Sequence, residues 1–384
     1  MTATATSRRW GARADAASRP GLLATDVRAV VLSWFAARVV VVATGHLVAF
    51  LHHHVPALPS LGLYAWDGTY YRIIAEHGYH APVLSHDALR FWPLTPMLAR
   101  AVSVIGLSAG QSLLVVNNAA ALVAAFLLVR LARREGWGDA VAERLPWLFA
   151  LAPPAFVLVL GYSEGVAIAL SLAAFLAYRS GRWWWAVPAG VLCGLSRPVG
   201  VLLLVPAALE AAAGWRRASR SGRLARVLAV LAPVAGTLLY VGYVAQSFGG
   251  AFGLPYRVQS ASNLHGHAGS PISTLDHAFR GAANGNLNSA LDLPWLALFL
   301  VLLVAMTRLL PASYTAWSAV TVVALFTGSS LNSDQRYLWS AFPFVVVAVM
   351  LLARRGQLWW AVLSLSTAAL IGSALLAFTR FVVP

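Results

Sequence analysis

Residues 27–51, VRAVVLSWFAARVVVVATGHLVAFL, and the polar stretch at 64–79, YAWDGTYYRIIAEHGY, decide the reading of this chain. The first exceeds the roughly 20 helical residues that cross a hydrocarbon core. The second places an acidic residue, Asp67, just beyond it. Apolar runs of similar length recur to the C-terminus, and the chain is 59% hydrophobic and 11% charged. No strand-length alternation bounded by turn signals is visible, which argues against a barrel. The expectation is an all-α polytopic membrane bundle whose helices satisfy their own backbone polar groups.

All 28 basic residues are arginine, and the net charge is +15. The arginines fall in short clusters between apolar runs, which is the positive-inside pattern of a membrane protein and not a nucleic-acid footprint. Membrane lipids are expected partners and nucleic acid is not. The absence of Lys with abundant Ala, Gly, Val and Leu suggests a high-GC bacterial genome and a bacterial plasma membrane. A single cysteine, Cys193, excludes an intramolecular disulfide and reads as a packed core thiol. Residues 1–26, with Arg8, Arg9, Arg13 and Arg19, read as an uncleaved, disordered cytoplasmic tail, and 27–384 as one membrane domain.

With the N-terminus inside, the first span leads outward and the loop 52–110 lies on the extracytoplasmic face. Within it, 91–107 carries Pro93, Pro96 and Arg100 and reads as an interfacial helix. Spans follow at 111–132, 145–161 and 165–179. A single crossing over 183–213 would put Arg216, Arg217, Arg220, Arg223 and Arg226 on the wrong side, so two short spans meeting near Ser196-Arg197-Pro198 are expected there. Next come 227–247, a second outer loop at 249–291, and spans near 293–310, 312–330, 337–353 and 357–378. The total is about eleven membrane segments, with several interfacial helices.

On this topology the polar residues gather on the outer face. Ionisable groups at membrane depth are expensive and tend to be functional. Glu164, Arg197, Asp334 and Arg336 sit at outer span ends. Asp67 precedes a helix-compatible run closed by Gly78. It is an N-cap with Tyr70, Ile74 and His77 as the buried stripe, a general base for an acceptor hydroxyl, or both. A buried Glu164 requires a partner, either Arg197 or Arg336, unless it contacts a ligand. Each arginine offers a fork of donors to a phosphate, with snorkelling or pairing to Asp334 as the structural alternative. His52, His53 and His54 read as a solvated interfacial run, and His265, His267, Asp276 and His277 as weak metal candidates. No metal or other cofactor is expected, although a divalent ion is compatible with the loop residues. Trp183, Trp184 and Trp185 beside Arg182 read as an interfacial aromatic belt.

Taken together, Trp66-Asp67-Gly68 with Tyr70, Ala75-Glu76-His77-Gly78-Tyr79, Phe91-Trp92-Pro93-Leu94-Thr95-Pro96, Tyr162-Ser163-Glu164, and Arg336-Tyr337 before Ala341-Phe342-Pro343 resemble the PIG-V type of mannosyltransferase over about residues 30–350. The resemblance implies the GT-C fold, a polyprenyl- or dolichyl-phosphate mannose donor, and an acidic catalytic residue in the first outer loop, which maps onto Asp67. Trp66, Tyr70, Tyr71, Glu76, His77, Tyr162, Glu164, Arg197, Asp334, Arg336 and Tyr337 are the matching candidates for substrate binding. The glycolipid acceptor of the GPI-anchor enzymes does not carry over, because a bacterium makes no GPI anchor. A glycolipid, glycan or protein hydroxyl is expected instead.

Nucleotide sugars stay in the cytosol, so a site facing outward needs a donor already carried across on lipid. Asp67 would take the acceptor proton while C1 is attacked, inverting a β-linked donor. Arg336 or Arg197 would stabilise the leaving phosphate, and residues 91–96 would build a cleft for the lipid tail. Transfer of another polyprenyl-linked sugar, arabinose or glucose, is the nearest rival. A transporter or flippase is more distant, since no internal repeat is visible.

Overall fold

The computed structural model describes residues 22–52, 62–249, 253–261, 270–326, 331 and 333–379, and every structural statement below concerns these. The elements are α-helices and short 3₁₀ turns. Five helices are long and apolar enough to cross a membrane: α1 (Ala24–Leu51), α4 (Ala109–Glu135), α9 (Arg220–Ser247), α12 (Leu287–Leu309) and α16 (Gly356–Phe378). A sixth crossing is made if α14 (Asp334–Ser340) and α15 (Pro343–Leu352) count as one span, bent by 81°. The expected eleven segments are therefore not all continuous spans. Residues 139–158 form α5 (Asp139–Leu151) and a 3₁₀ turn started by Pro153 and Pro154. Residues 183–213 form α7 (Trp183–Ser196), a 3₁₀ turn and α8 (Leu204–Ala213), broken at Arg197 as anticipated. Proline has no N–H to donate and clashes with the preceding turn, which explains both interruptions.

The stretch read above as the first outer loop contains α2 (Asp67–His77) and α3 (Leu94–Ser103), the latter within the 91–107 segment. Between α4 and α7 lies α6 (Glu164–Arg179), and α13 (Ala312–Leu325) precedes the bent pair. The 249–291 stretch, read above as a second outer loop, contains α10 (Leu254–Ala261) and α11 (Pro271–Ala283). The proposed N-terminal tail lies outside the described residues except for 22–26, of which 24–26 already belong to α1.

Close helix packing rests on small residues. Where α7 crosses α9, Gly190 and Gly194 face Ala232, Pro233 and Gly236, and a Cβ at Gly194 would overlap the Pro233 carbonyl. Lipid tails are as apolar as side chains, so contact of this kind, not water exclusion, holds helices together in a bilayer. Polar pins add to it. Arg38, midway along α1, donates to Asn118 Oδ1 at 2.8 Å and to the Leu158 and Trp34 carbonyls. Asn117 donates to the Val157 and Leu160 carbonyls, and its Oδ1 accepts from the Gly165 N–H at 2.9 Å. These bonds pin residues 157–165, the strand of chain that leads into the site.

Candidate active site

Asp67 opens α2 but does not cap it. The N-cap is Trp66, and no side-chain cap bond forms there. The Asp67 carboxylate instead accepts from Arg336 Nη1 at 2.8 Å, across 269 residues of sequence. Arg336 also lies 3.3 Å from Glu164, and Arg197 lies 2.5 Å from the same Glu164 oxygen. The alternative pairing of Arg336 with Asp334 is not made among the described residues. The result is a chain of alternating charge, Asp67, Arg336, Glu164, Arg197, whose formal charges cancel. Glu164, Arg336 and Arg197 have side chains 1%, 5% and 7% exposed, against 28% for Asp67, so Asp67 is the most accessible member of the cluster and Arg336 lies directly behind it.

The paired members Asp67 and Arg336 sit on helices entered through unusual backbone. Trp66 (φ 58°) and Ser333 (φ 67°) are the described non-glycine residues with positive φ, and they directly precede α2 and α14, the helices that carry Asp67 and Arg336. Such conformations cost of order 1–3 kcal/mol and persist where the surroundings impose them. At Trp66 the restraints are visible. Its indole donates to the Ala377 carbonyl at 3.2 Å, and the Gly161 N–H donates to the Leu63 carbonyl at 2.8 Å just upstream.

Aromatic rings line the cluster. The Arg336 guanidinium lies 5.3 Å from the centroid of Tyr162 and 5.1 Å from that of Tyr337, and Arg197 lies 4.8 Å from Tyr337. Such contacts favour a cation without neutralising it. Tyr71 donates to Ser163 at 2.9 Å, and Tyr70 stacks on Phe91 at 4.6 Å. Burial raises the Asp67 pKa, but the charge and hydrogen bond of Arg336, with help from Arg90 and Arg197, outweigh it and hold the carboxyl below its ordinary range. Burial pushes the Tyr71 phenol upward and keeps it a donor.

Four expectations change. The buried face of α2 is Gly68, Tyr71, Ile74 and Ala75, while Tyr70 is half-buried and the His77 side chain is 64% exposed. Glu76 and His77 pair with each other at 3.8 Å, about 14 Å along the helix from Asp67 at 1.5 Å per residue, and do not join the cluster. Asp334 is buried beside Asp292 of α12, while the ion pairs of Arg336 go to Asp67 and Glu164. Within residues 91–96, the aromatic rings expected to line a cleft for the lipid tail are packed into the protein. Phe91 and Trp92 are buried with Tyr71, Tyr79 and Tyr240, and the Tyr79 and Tyr240 hydroxyls donate to the Phe91 and Leu89 carbonyls. An apolar cavity of about 290 Å³ lies elsewhere, between α12, α14, α16 and the 153–158 turn, lined by Phe156, Leu291, Trp295, Gln335 and Leu376.

Asn117 and Arg90 escaped the sequence reading, in which Ser163 figured only as the middle of Tyr162-Ser163-Glu164 and had no role of its own. Arg90 lies over the rings of Tyr70 and Phe91 and within electrostatic reach of Asp67. The only signal for it was its position three residues before Pro93 in an otherwise apolar stretch. No group of three metal-ligating side chains converges among the described residues. Asp276 pairs with Arg280, and His53, His54, His265 and His267 lie outside the described residues.

No protein-family model matches the chain, and no curated protein matches it. Among solved structures, it is similar to the oligosaccharyltransferase of Archaeoglobus fulgidus, determined in complex with zinc and sulfate, at 15% identity and a TM-score of 0.39. The match covers 81% of this chain and 48% of that one, so the chain spans about half the length of that protein. A likeness at this level carries no argument about activity.

Proposed function

We propose that this protein is an integral-membrane glycosyltransferase of GT-C type. In this reading it moves mannose from a polyprenyl-phosphate donor to a hydroxyl of a glycolipid, glycan or protein on the extracytoplasmic face, with inversion and with Asp67 as general base. The observation that carries this reading is the ion pair of an accessible Asp67 with a buried Arg336, backed by Glu164 and Arg197. The PIG-V-like motifs supply the sugar and the carrier.

The arrangement suits the chemistry. A departing polyprenyl phosphate gains negative charge, and a preorganised guanidinium in a water-poor site stabilises it without moving. In the resting protein Arg336 satisfies Asp67. A donor phosphate engaging Arg336 draws that charge away, and the carboxylate becomes a stronger base when the acceptor hydroxyl arrives. Glu164 keeps two like-charged arginines together. The cavity beside Gln335 and Trp295 suits an isoprenoid segment.

The deciding experiment is transfer of radiolabelled mannose from polyprenyl-phosphate mannose to a membrane extract, comparing wild type with Asp67→Asn and Asp67→Ala. Transfer by the wild type that both folded variants lose supports the reading. Retained transfer in the variants removes Asp67 from the chemistry. Absence of mannose transfer alongside transfer from polyprenyl-phosphate arabinose or glucose reassigns the sugar.

A further inference from the structure

The end of the bundle opposite Asp67 contains a cleft that the proposed chemistry does not use. Glu164 and Arg179 mark the two ends of α6, 16 residues and therefore roughly 24 Å apart. At the Arg179 end, the last turns of α4 and α6 and the first turn of α7 enclose a cleft of about 390 Å³. Its polar lining is Arg130, Arg134, Arg182 and Ser180, and its apolar lining includes Leu127, Leu176 and Trp185.

The charges here are not balanced from within. Arg179 pairs with Glu135 and Glu210, and Arg133 with Asp26 and Asp139, so the neighbouring carboxylates are already engaged. Arg134 is fixed by donating Nε and Nη2 to the Arg179 carbonyl, at 3.0 and 2.7 Å, which leaves Nη1 available. Arg130 and Arg182 have no ion pair among the described residues, and both are exposed. Three guanidinium groups thus face one cavity with no carboxylate on its walls. Trp185 is 71% exposed at its rim, a placement typical of indoles at the membrane–water interface.

We infer that this cleft binds the phosphate headgroup of an anionic phospholipid from the leaflet at this end, with an acyl chain lying along Leu127 and Leu176. Forked guanidinium donors match phosphate geometry, and basic clefts between membrane helices recruit anionic headgroups in this way. A free phosphate would use the arginines and leave the apolar wall unused. The inference depends on the chain lying in a membrane and not on the sugar-transfer reading.

The test is native mass spectrometry of the full chain released from micelles titrated with phosphatidylglycerol or phosphatidylcholine, with thermal melting in parallel. The wild type should retain phosphatidylglycerol in preference to phosphatidylcholine. Arg130→Ala with Arg182→Ala should weaken that retention about tenfold or more, as the loss of two basic contacts implies, and Arg130→Lys with Arg182→Lys should restore part of it. Arg216→Ala with Arg217→Ala, which removes the same charge from exposed positions nearby, should leave it unchanged. Equal loss in both alanine pairs would reduce the effect to general charge attraction and overturn the site. So would undiminished retention by the first pair, or a melting shift that inorganic phosphate reproduces in full.

Discussion

Asp67 owes its ionisation to a residue 269 positions away. Since Arg336 holds its pKa below the ordinary range, the carboxylate is the resting form throughout the neutral and mildly acidic range, and the acid limb of kcat/KM should lie below about pH 4. Arg336→Gln removes the opposing charge and leaves burial as the dominant influence, so the limb should move upward past the ordinary carboxylate value. The same variant should lose roughly 10²–10³ in kcat if Arg336 stabilises the leaving group. A pH–rate profile of wild type and variant reads both effects. Glu164 is a separate case, because its neighbours are two buried arginines. Glu164→Gln leaves Arg197 without a carboxylate and Arg336 with Asp67 alone, and should cost about 3–5 kcal/mol, seen as a lower melting temperature in detergent that Arg197→Met partly restores.

Helix ends, more than helix bodies, build the site. The 157–165 segment is tied to the helices beside it by Asn117 and Arg38, which donate to the Val157, Leu160 and Leu158 carbonyls. Asn117→Ala should therefore cost about 1–3 kcal/mol and should reduce transfer more than melting alone explains, since Gly165 loses its anchor next to Glu164. The α7–α9 contact tests packing in isolation from chemistry. Gly194→Leu forces a side chain into the Pro233 carbonyl and should destabilise by well over 1 kcal/mol, whereas Gly242→Ala on the same α9, where nothing lies within 4 Å, should be nearly neutral. Paired melting curves distinguish the two.

At the scale of the whole chain, charge separates the two ends of the bundle. The alternating cluster around Asp67 is balanced, and the opposite end carries arginines without carboxylate partners. The native thiol, Cys193, is buried, so labelling of single introduced cysteines has little background. In intact cells, a membrane-impermeant maleimide should label His86→Cys, near the site, and spare Arg216→Cys at the far end, both native positions being exposed. The reverse pattern would invert the proposed orientation.

Composition and the length of the apolar runs were sufficient to specify a multi-helix membrane chain, because the bilayer thickness and the need to pair every backbone group leave few alternatives. They also marked the separate short helix at 94–103 and the break at Arg197, since prolines and stranded arginines act locally. Asp67, Glu164, Arg197 and Arg336 were legible as expensive charges at helix ends. Their pairing was not, because it depends on how α2, α6, α7 and α14 meet in space. A carboxylate beside a helix start reads as a cap until the tertiary fold brings a guanidinium to it. For the same reason Glu76 and His77, adjacent in sequence to the motif, fall outside the site, and Asn117 and Arg90 become visible only once the helices are packed.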